Sequence, residues 1–149
     1  MKDLKKILRK IKEKGIKEVI CGGNNGSVII LTTENNISLT IHSVWRLIGN
    51  GIVLVSWDEN DNSPKSNFVK ELKLLENDII ESFELSSFYD ITIKFKSKKT
   101  LFVLCDINRF YNKNYYENNW ELCDEELNYC ICINRKLQED IEIYDTSGV

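Results

Sequence analysis

Alanine is missing altogether from the 149 residues, and proline, histidine and methionine occur once each. The missing alanine, set beside the density of Lys, Asn and Ile, points to an AT-rich bacterial coding sequence. With one histidine, any His-dependent catalytic triad has to use His42, which continues the strand pattern of Ile37, Leu39 and Ile41 on the opposite face. No Ser or Cys sits in a recognisable nucleophile motif. No spacing of carboxylates marks an acid/base pair. The loop Gly22-Gly23-Asn24-Asn25-Gly26 is followed by neither G-K-[ST] nor a helix pattern, so it reads as a turn rather than a phosphate cradle. No apolar run nears the roughly 18 residues of a membrane span. The basic N-terminus lacks an apolar h-region, so no signal peptide is expected and the expected location is cytoplasmic. Nothing in the chain implies a cofactor or a metal.

The five cysteines are Cys21, Cys105, Cys123, Cys130 and Cys132. An odd count without an export signal favours free thiols over a disulfide framework. Cys105, Cys130 and Cys132 lie in apolar runs and read as small core side chains. Cys130-x-Cys132 lacks the spacer and the second pair that a zinc site needs.

What is present is pattern. Length and composition, 42% hydrophobic and 29% charged, are those of one globular domain covering residues 1–149. Leu4, Ile7, Leu8 and Ile11 draw one apolar stripe, predicting an amphipathic helix over 3–14 that ends before Gly15. A β-rich body follows over 17–144. Ile91, Ile93 and Phe95 alternate with Thr92, Lys94 and Lys96, and Leu101, Val103 and Cys105 resume the alternation after the polar break Ser97-Lys98-Lys99, which predicts a hairpin. Strands are expected over 18–21, 28–32, 37–41, 44–48, 52–57, 120–122, 129–133 and 137–144. Gly49-Asn50-Gly51 is a tight hairpin turn. Residues 58–65, which hold the only proline, form a polar loop, and residues 67–76 a short helix. The fold class is therefore α+β, mainly antiparallel sheet, with the N-terminal helix packed on it.

The hairpin at 91–105 repeats an earlier one. Ile37 falls on Leu101, Leu39 on Val103 and Ile41 on Cys105, 64 positions on. Each hairpin is followed by a Trp-x-Leu, Trp45-Arg46-Leu47 and Trp120-Glu121-Leu122. A duplicated β-meander, over 17–57 and 81–133, is expected, against the plainer account that any two hairpins share a period of two.

Charge is unevenly spread. Residues 1–17 carry eight basic and two acidic side chains, whereas from Glu117 onward nine acids face only Arg135 and Lys136. An acidic body disfavours nucleic acid and suits a basic protein partner. The expected partner surface comprises Asp58, Glu59 and Asp61 in one loop, Glu117, Glu121, Asp124, Glu125 and Glu126 around the second Trp-x-Leu, and Trp45 or Trp57 as an aromatic anchor. The plainer reading is that these acids solvate loops.

The segments His42-Ser43-Val44-Trp45-Arg46-Leu47, Trp57-Asp58, Leu72-Lys73-Leu74-Leu75 and Trp120 resemble a group of small bacterial proteins, some of them like immunity proteins of polymorphic toxin systems. The resemblance spans Ile37 to Leu122 and rests on packing residues, so it brings no active site with it. It implies a non-catalytic binding protein that occludes a toxin. The competing readings are a structural domain that self-associates as a homodimer through a sheet edge, and a hydrolase.

Overall fold

Apolar stripes and turn residues account for the elements of the structure, a computed structural model that describes residues 2–107 and 118–143. The first stripe folds as helix α1, Lys2–Ile11, with Leu4, Ile7 and Ile11 fully buried and Leu8 partly so. It stops short of the expected residue 14, because Glu13 takes a positive φ of 62° and turns the chain. Strands β1 (Ile16–Ile20), β2 (Ile29–Thr33), β3 (Ile37–Ile41), β4 (Val44–Gly49) and β5 (Ile52–Ser56) follow. Helix α2, Asn67–Lys73, starts where the Ser66 side chain accepts the Val69 N–H, an N-cap bond that satisfies one free helix donor. Then come β6 (Ile80–Leu85), β7 (Ile91–Phe95), β8 (Thr100–Leu104), β9 (Asn118–Asp124), β10 (Tyr129–Asn134) and β11 (Glu139–Ile143). Strand β6 has no counterpart among the expected strands. The Gly22–Gly26 loop contains one 3-10 turn, Gly23–Asn25.

The strands form two antiparallel sheets, β1-β2-β3-β9-β10-β11 and β5-β4-β8-β7-β6. The fold is thus α+β and mainly antiparallel. One cluster of buried side chains draws on both sheets and both helices. At its centre Ile11, Leu31, Ile37, Phe83, Ile93 and Leu122 surround a small void. The chain changes sheet at His42-Ser43, whose two backbone N–H groups both donate to the Asn119 carbonyl, at 2.9 and 3.0 Å. Among the described residues no helix is long and apolar enough to cross a membrane.

The two halves of the chain are built alike. Each runs helix, then five strands whose registers correspond; the second half adds a sixth, β11, at the edge of the larger sheet. Val19 pairs with Leu31 as Phe83 pairs with Ile93, and the same irregularity interrupts both ladders, between Ile16 and Glu18 and between Ile80 and Ser82. Leu31 pairs with Leu39 as Ile93 pairs with Leu101. Leu39 then pairs with Leu122 and Ile41 with Trp120, as Leu101 pairs with Leu47 and Val103 with Trp45. The Trp45 indole N–H donates to the Ser27 carbonyl at 2.8 Å, and the Trp120 indole N–H to the Tyr89 carbonyl at 2.9 Å. An isolated antiparallel bridge, Gly15 to Ile79, joins the halves. Around it Ile16 N donates to Asp78 O and Ile80 N to Lys14 O, while Glu13 N donates to Ile80 O and Asn77 N to Ile16 O. These are two pairs of bonds related by a local two-fold axis.

The expected match of Trp45 with Trp120 holds. The expected match of Ile37 with Leu101 is off by two residues, since Leu39 is the residue that corresponds to Leu101. A slip of two leaves every side chain on its own face, so the alternating pattern cannot distinguish the two registers. Each sheet combines the three-stranded meander of one half with the β4-β5 or β9-β10 pair of the other. Neither half therefore holds a whole sheet by itself.

Candidate protein-docking face

The symmetry makes the two outer sheet faces directly comparable. On the five-stranded sheet, Arg46 lies opposite Phe102 and Ser56, Val44 opposite Leu104, and Ile48 opposite Val53. The alternate residues Trp45, Leu47, Leu101 and Val103 point into the core and are fully buried. Phe102, Leu104 and Val53 are left 36%, 46% and 52% exposed, and Ile52 at the hairpin end 62%. Arg46, Ile48, Phe102 and Leu104, with Trp45 beneath, line a shallow depression of about 270 Å³. On the six-stranded sheet the positions corresponding to Phe102, Leu104 and Arg46 are Thr40, His42 and Glu121. The same backbone scaffold thus carries a polar outer face on one sheet and an apolar one, centred on a cation, on the other. The fold does not demand the apolar face.

Among the described residues no carboxylate forms an ion pair with Arg46. The nearest acids along the strand pairing, Asp58 and Glu59, bond to Ser56 instead. Asp58 Oδ1 accepts from Ser56 Oγ at 2.8 Å, and Glu59 Oε2 accepts from the Ser56 backbone N–H. They border the face at its β5 rim.

The acids expected to form a partner surface do not converge. Asp61 caps Ser63 N in the loop after β5, and Asn60 ties that loop to the carbonyls of Gly23 and Gly26, before β2. Asp124 pairs with Ile37 beyond the other end of β2, where Glu125 N donates to Asn36 O. Asp124 is itself buried and held by Lys10 Nζ at 2.7 Å. That contact raises the Lys10 pKa, and it makes Asp124 a structural ion rather than a surface charge. Glu121 is half-buried, 3.5 Å from His42 Nε2 and hydrogen-bonded by the Asn118 amide. The His42 imidazole first, and Asn118 after it, hold its carboxyl below the usual glutamate range, against the opposing effect of burial. Glu125 and Glu126 are exposed. Glu117 lies outside the described residues. Trp45 has no exposed surface and cannot anchor a partner, whereas Trp57 is 40% exposed. The Trp-x-Leu strand put Trp45 on its inner side, against Phe68, a placement that strand alternation alone leaves undecided.

The outer face of the six-stranded sheet gathers His42, Glu121 and Cys132, with Glu121 directly opposite Cys132. Burial pushes the Cys132 thiol up to about 12, and Glu121, Glu142 and Asp140 add to the rise. An activated thiol needs a cation beside it; here the carboxylate stands between thiol and imidazole. Among the described residues no three His, Cys, Asp or Glu side chains come together as metal ligands.

The expectation of five free thiols is corrected. Cys123 and Cys130 face each other across β9 and β10 and form a disulfide, leaving Cys21, Cys105 and Cys132 free. The two cysteines are seven positions apart, and the turn between β9 and β10 brings them into register, which an odd count cannot reveal. Alkylation of the unreduced, denatured protein is expected to label three thiols by intact mass. Labelling of all five would show that the bridge does not form.

Self-association through a sheet edge meets an obstacle at each edge. On β1 the Val19 N–H donates to Glu76 and its carbonyl accepts from Lys73. On β5 the Ser56 N–H is taken by Glu59 and the Leu54 carbonyl by Asn67. Strand β6 carries Glu81 and Glu84, and β11 carries Glu139, Asp140 and Glu142, like charges that repel an identical edge.

Comparison with family models, with curated proteins and with solved structures finds no match. The apolar outer face did leave a signal in the sequence. Thr100-Leu-Phe-Val-Leu is apolar on both sides of one strand, as is Val44-Trp-Arg-Leu-Ile apart from Arg46, and a strand with one solvated face has no need of that.

Proposed function

We propose that this chain is a non-catalytic protein-binding module that docks a partner on the outer face of its five-stranded sheet. The observation that carries the reading is the contrast between the two outer faces, Phe102 and Leu104 on one, Thr40 and His42 at the corresponding places on the other. Contiguous exposed apolar side chains rimmed by polar ones mark interaction surfaces. An immunity protein or antitoxin is the setting that the resemblance of residues 42–47 suggests, and occlusion of a toxin needs no chemistry beyond such a face. The acidic loops favour a basic partner less, because their members lie at opposite ends of β2 and Asp124 is committed to Lys10. A cytoplasmic location belongs to the same proposal.

Co-expression with the products of the flanking genes, followed by affinity co-purification, tests the reading. A complex is expected that Phe102→Ser and Leu104→Ser each disrupt, while both variants keep the parental melting temperature within a few degrees, since both side chains already face solvent. A complex indifferent to both substitutions would place docking elsewhere, with the exposed Trp57 as the next residue to change.

A further inference from the structure

Resting on that docking reading, we infer that the partner presents a carboxylate set between apolar side chains and aimed at Arg46, and that it is a different chain rather than a second copy of this one. Arg46 sits in the middle of the apolar strip, between Phe102 on β8 and Ser56 on β5, with Val44 and Ile48 beside it along β4. It is exposed and makes no ion pair among the described residues. A partner that covers Phe102 and Leu104 also takes water away from this guanidinium. An uncompensated charge so buried is strongly unfavourable. The planar fork of arginine is matched by a carboxylate through two parallel bonds. Lys94, outward on β7, adds positive charge to the same face. Among the described residues the exposed acids within the strands of this sheet, Glu81 and Glu84, lie on β6, which is separated from β4 by β7 and β8.

A second copy fits this face poorly. Two-fold pairing centred on the strip would bring Arg46 against its own image, and isologous contacts repeat every such clash. Asp58 and Glu59, the acids nearest the strip, are engaged with Ser56; Glu59 in particular occupies the outward N–H of the edge strand. Neither is free to turn across to a partner's guanidinium without uncovering that N–H or the Ser56 hydroxyl.

The test uses the full chain and a random-peptide display library, panned in parallel against the parent, Arg46→Glu, Phe102→Ser and Leu104→Ser, each checked for an unchanged melting temperature. The parent is expected to enrich peptides with Asp or Glu flanked by aliphatic or aromatic residues. A synthetic peptide of that sequence should lose roughly tenfold or more in affinity with Arg46→Glu and should weaken as salt rises. Arg46→Glu should itself enrich Lys- or Arg-bearing peptides. Enriched peptides that depend on Phe102 but lack an acid and ignore Arg46→Glu would overturn the carboxylate inference and leave the docking face standing. Absence of any peptide sensitive to Phe102→Ser or Leu104→Ser would overturn both. Sedimentation velocity of the parent is expected to show a monomer; a dimer dissolved by Phe102→Ser would overturn the inference in favour of a second copy.

Discussion

Deletion of residues 1–12 is expected to abolish a cooperative thermal unfolding transition. Leu4, Ile7 and Ile11 are each at most 2% exposed. Burying side chains of this kind contributes about 1.5–3 kcal/mol apiece, so the three together contribute roughly 5–9 kcal/mol. Set against the whole stability of a domain, about 5–15 kcal/mol, that loss is decisive. Two polar losses add to it. Asp124 would keep its buried carboxylate without the Lys10 ammonium at 2.7 Å, and the Asn35 side chain would lose the Lys10 carbonyl it donates to at 3.1 Å. The raised Lys10 pKa gives the contact a pH signature in the intact protein. A group with its pKa raised by folding stabilises the fold below its unfolded value and loses that contribution as pH climbs through the folded one. The contribution of α1 should therefore weaken in the alkaline range above the usual lysine value and persist at neutral pH. Circular dichroism with thermal melts checks the deletion; a truncated chain melting like the parent would remove α1 from the core.

The second large effect tests the equivalence of the halves. Trp45→Ala and Trp120→Ala are expected to destabilise by similar amounts, about 3–5 kcal/mol each, the usual range for emptying a buried aromatic site. Both indoles are fully buried, and each donates its N–H to the carbonyl two residues before the second strand of a meander, Ser27 for β2 and Tyr89 for β7. Each also stands opposite the last inward residue of the adjoining meander, Val103 and Ile41 respectively. Trp→Phe at either site should cost less, since most of the volume stays while the carbonyl loses its donor. Chemical denaturation of the four variants would show it. Markedly unequal losses for Trp45→Ala and Trp120→Ala would mean that the matched geometry does not carry matched energetics.

Local order was legible in the sequence because its causes are local. The stripe Leu4, Ile7, Leu8 and Ile11 dictates a helix wherever the chain goes, although its end lies at Ile11, where Glu13 and not Gly15 turns the chain. Alternation in 37–41, 91–95 and 100–104, with turn residues at Asn50-Gly51, dictates hairpins and the α+β class. The repeated Trp-x-Leu announced the likeness of the halves. Register was not legible, because a period of two is unchanged by a slip of two, and so Leu39 rather than Ile37 corresponds to Leu101. Strand β6 went unread because its burial is irregular, with Phe83 and Leu85 only partly covered.

Only the tertiary structure decided which strands meet across long stretches of chain. The pairing of β3 with β9 and of β4 with β8 joins residues tens of positions apart, and no local pattern encodes it. From that exchange of strands follow the burial of Trp45, the facing of Cys123 and Cys130, the pairing of Asp124 with Lys10, and the dispersal of the acids. It also set Phe102 and Leu104 of one half beside Arg46 of the other. The apolar outer face exists only because two segments, each apolar on both sides of a strand for no local reason, are hydrogen-bonded side by side in one sheet with nothing among the described residues packed over them.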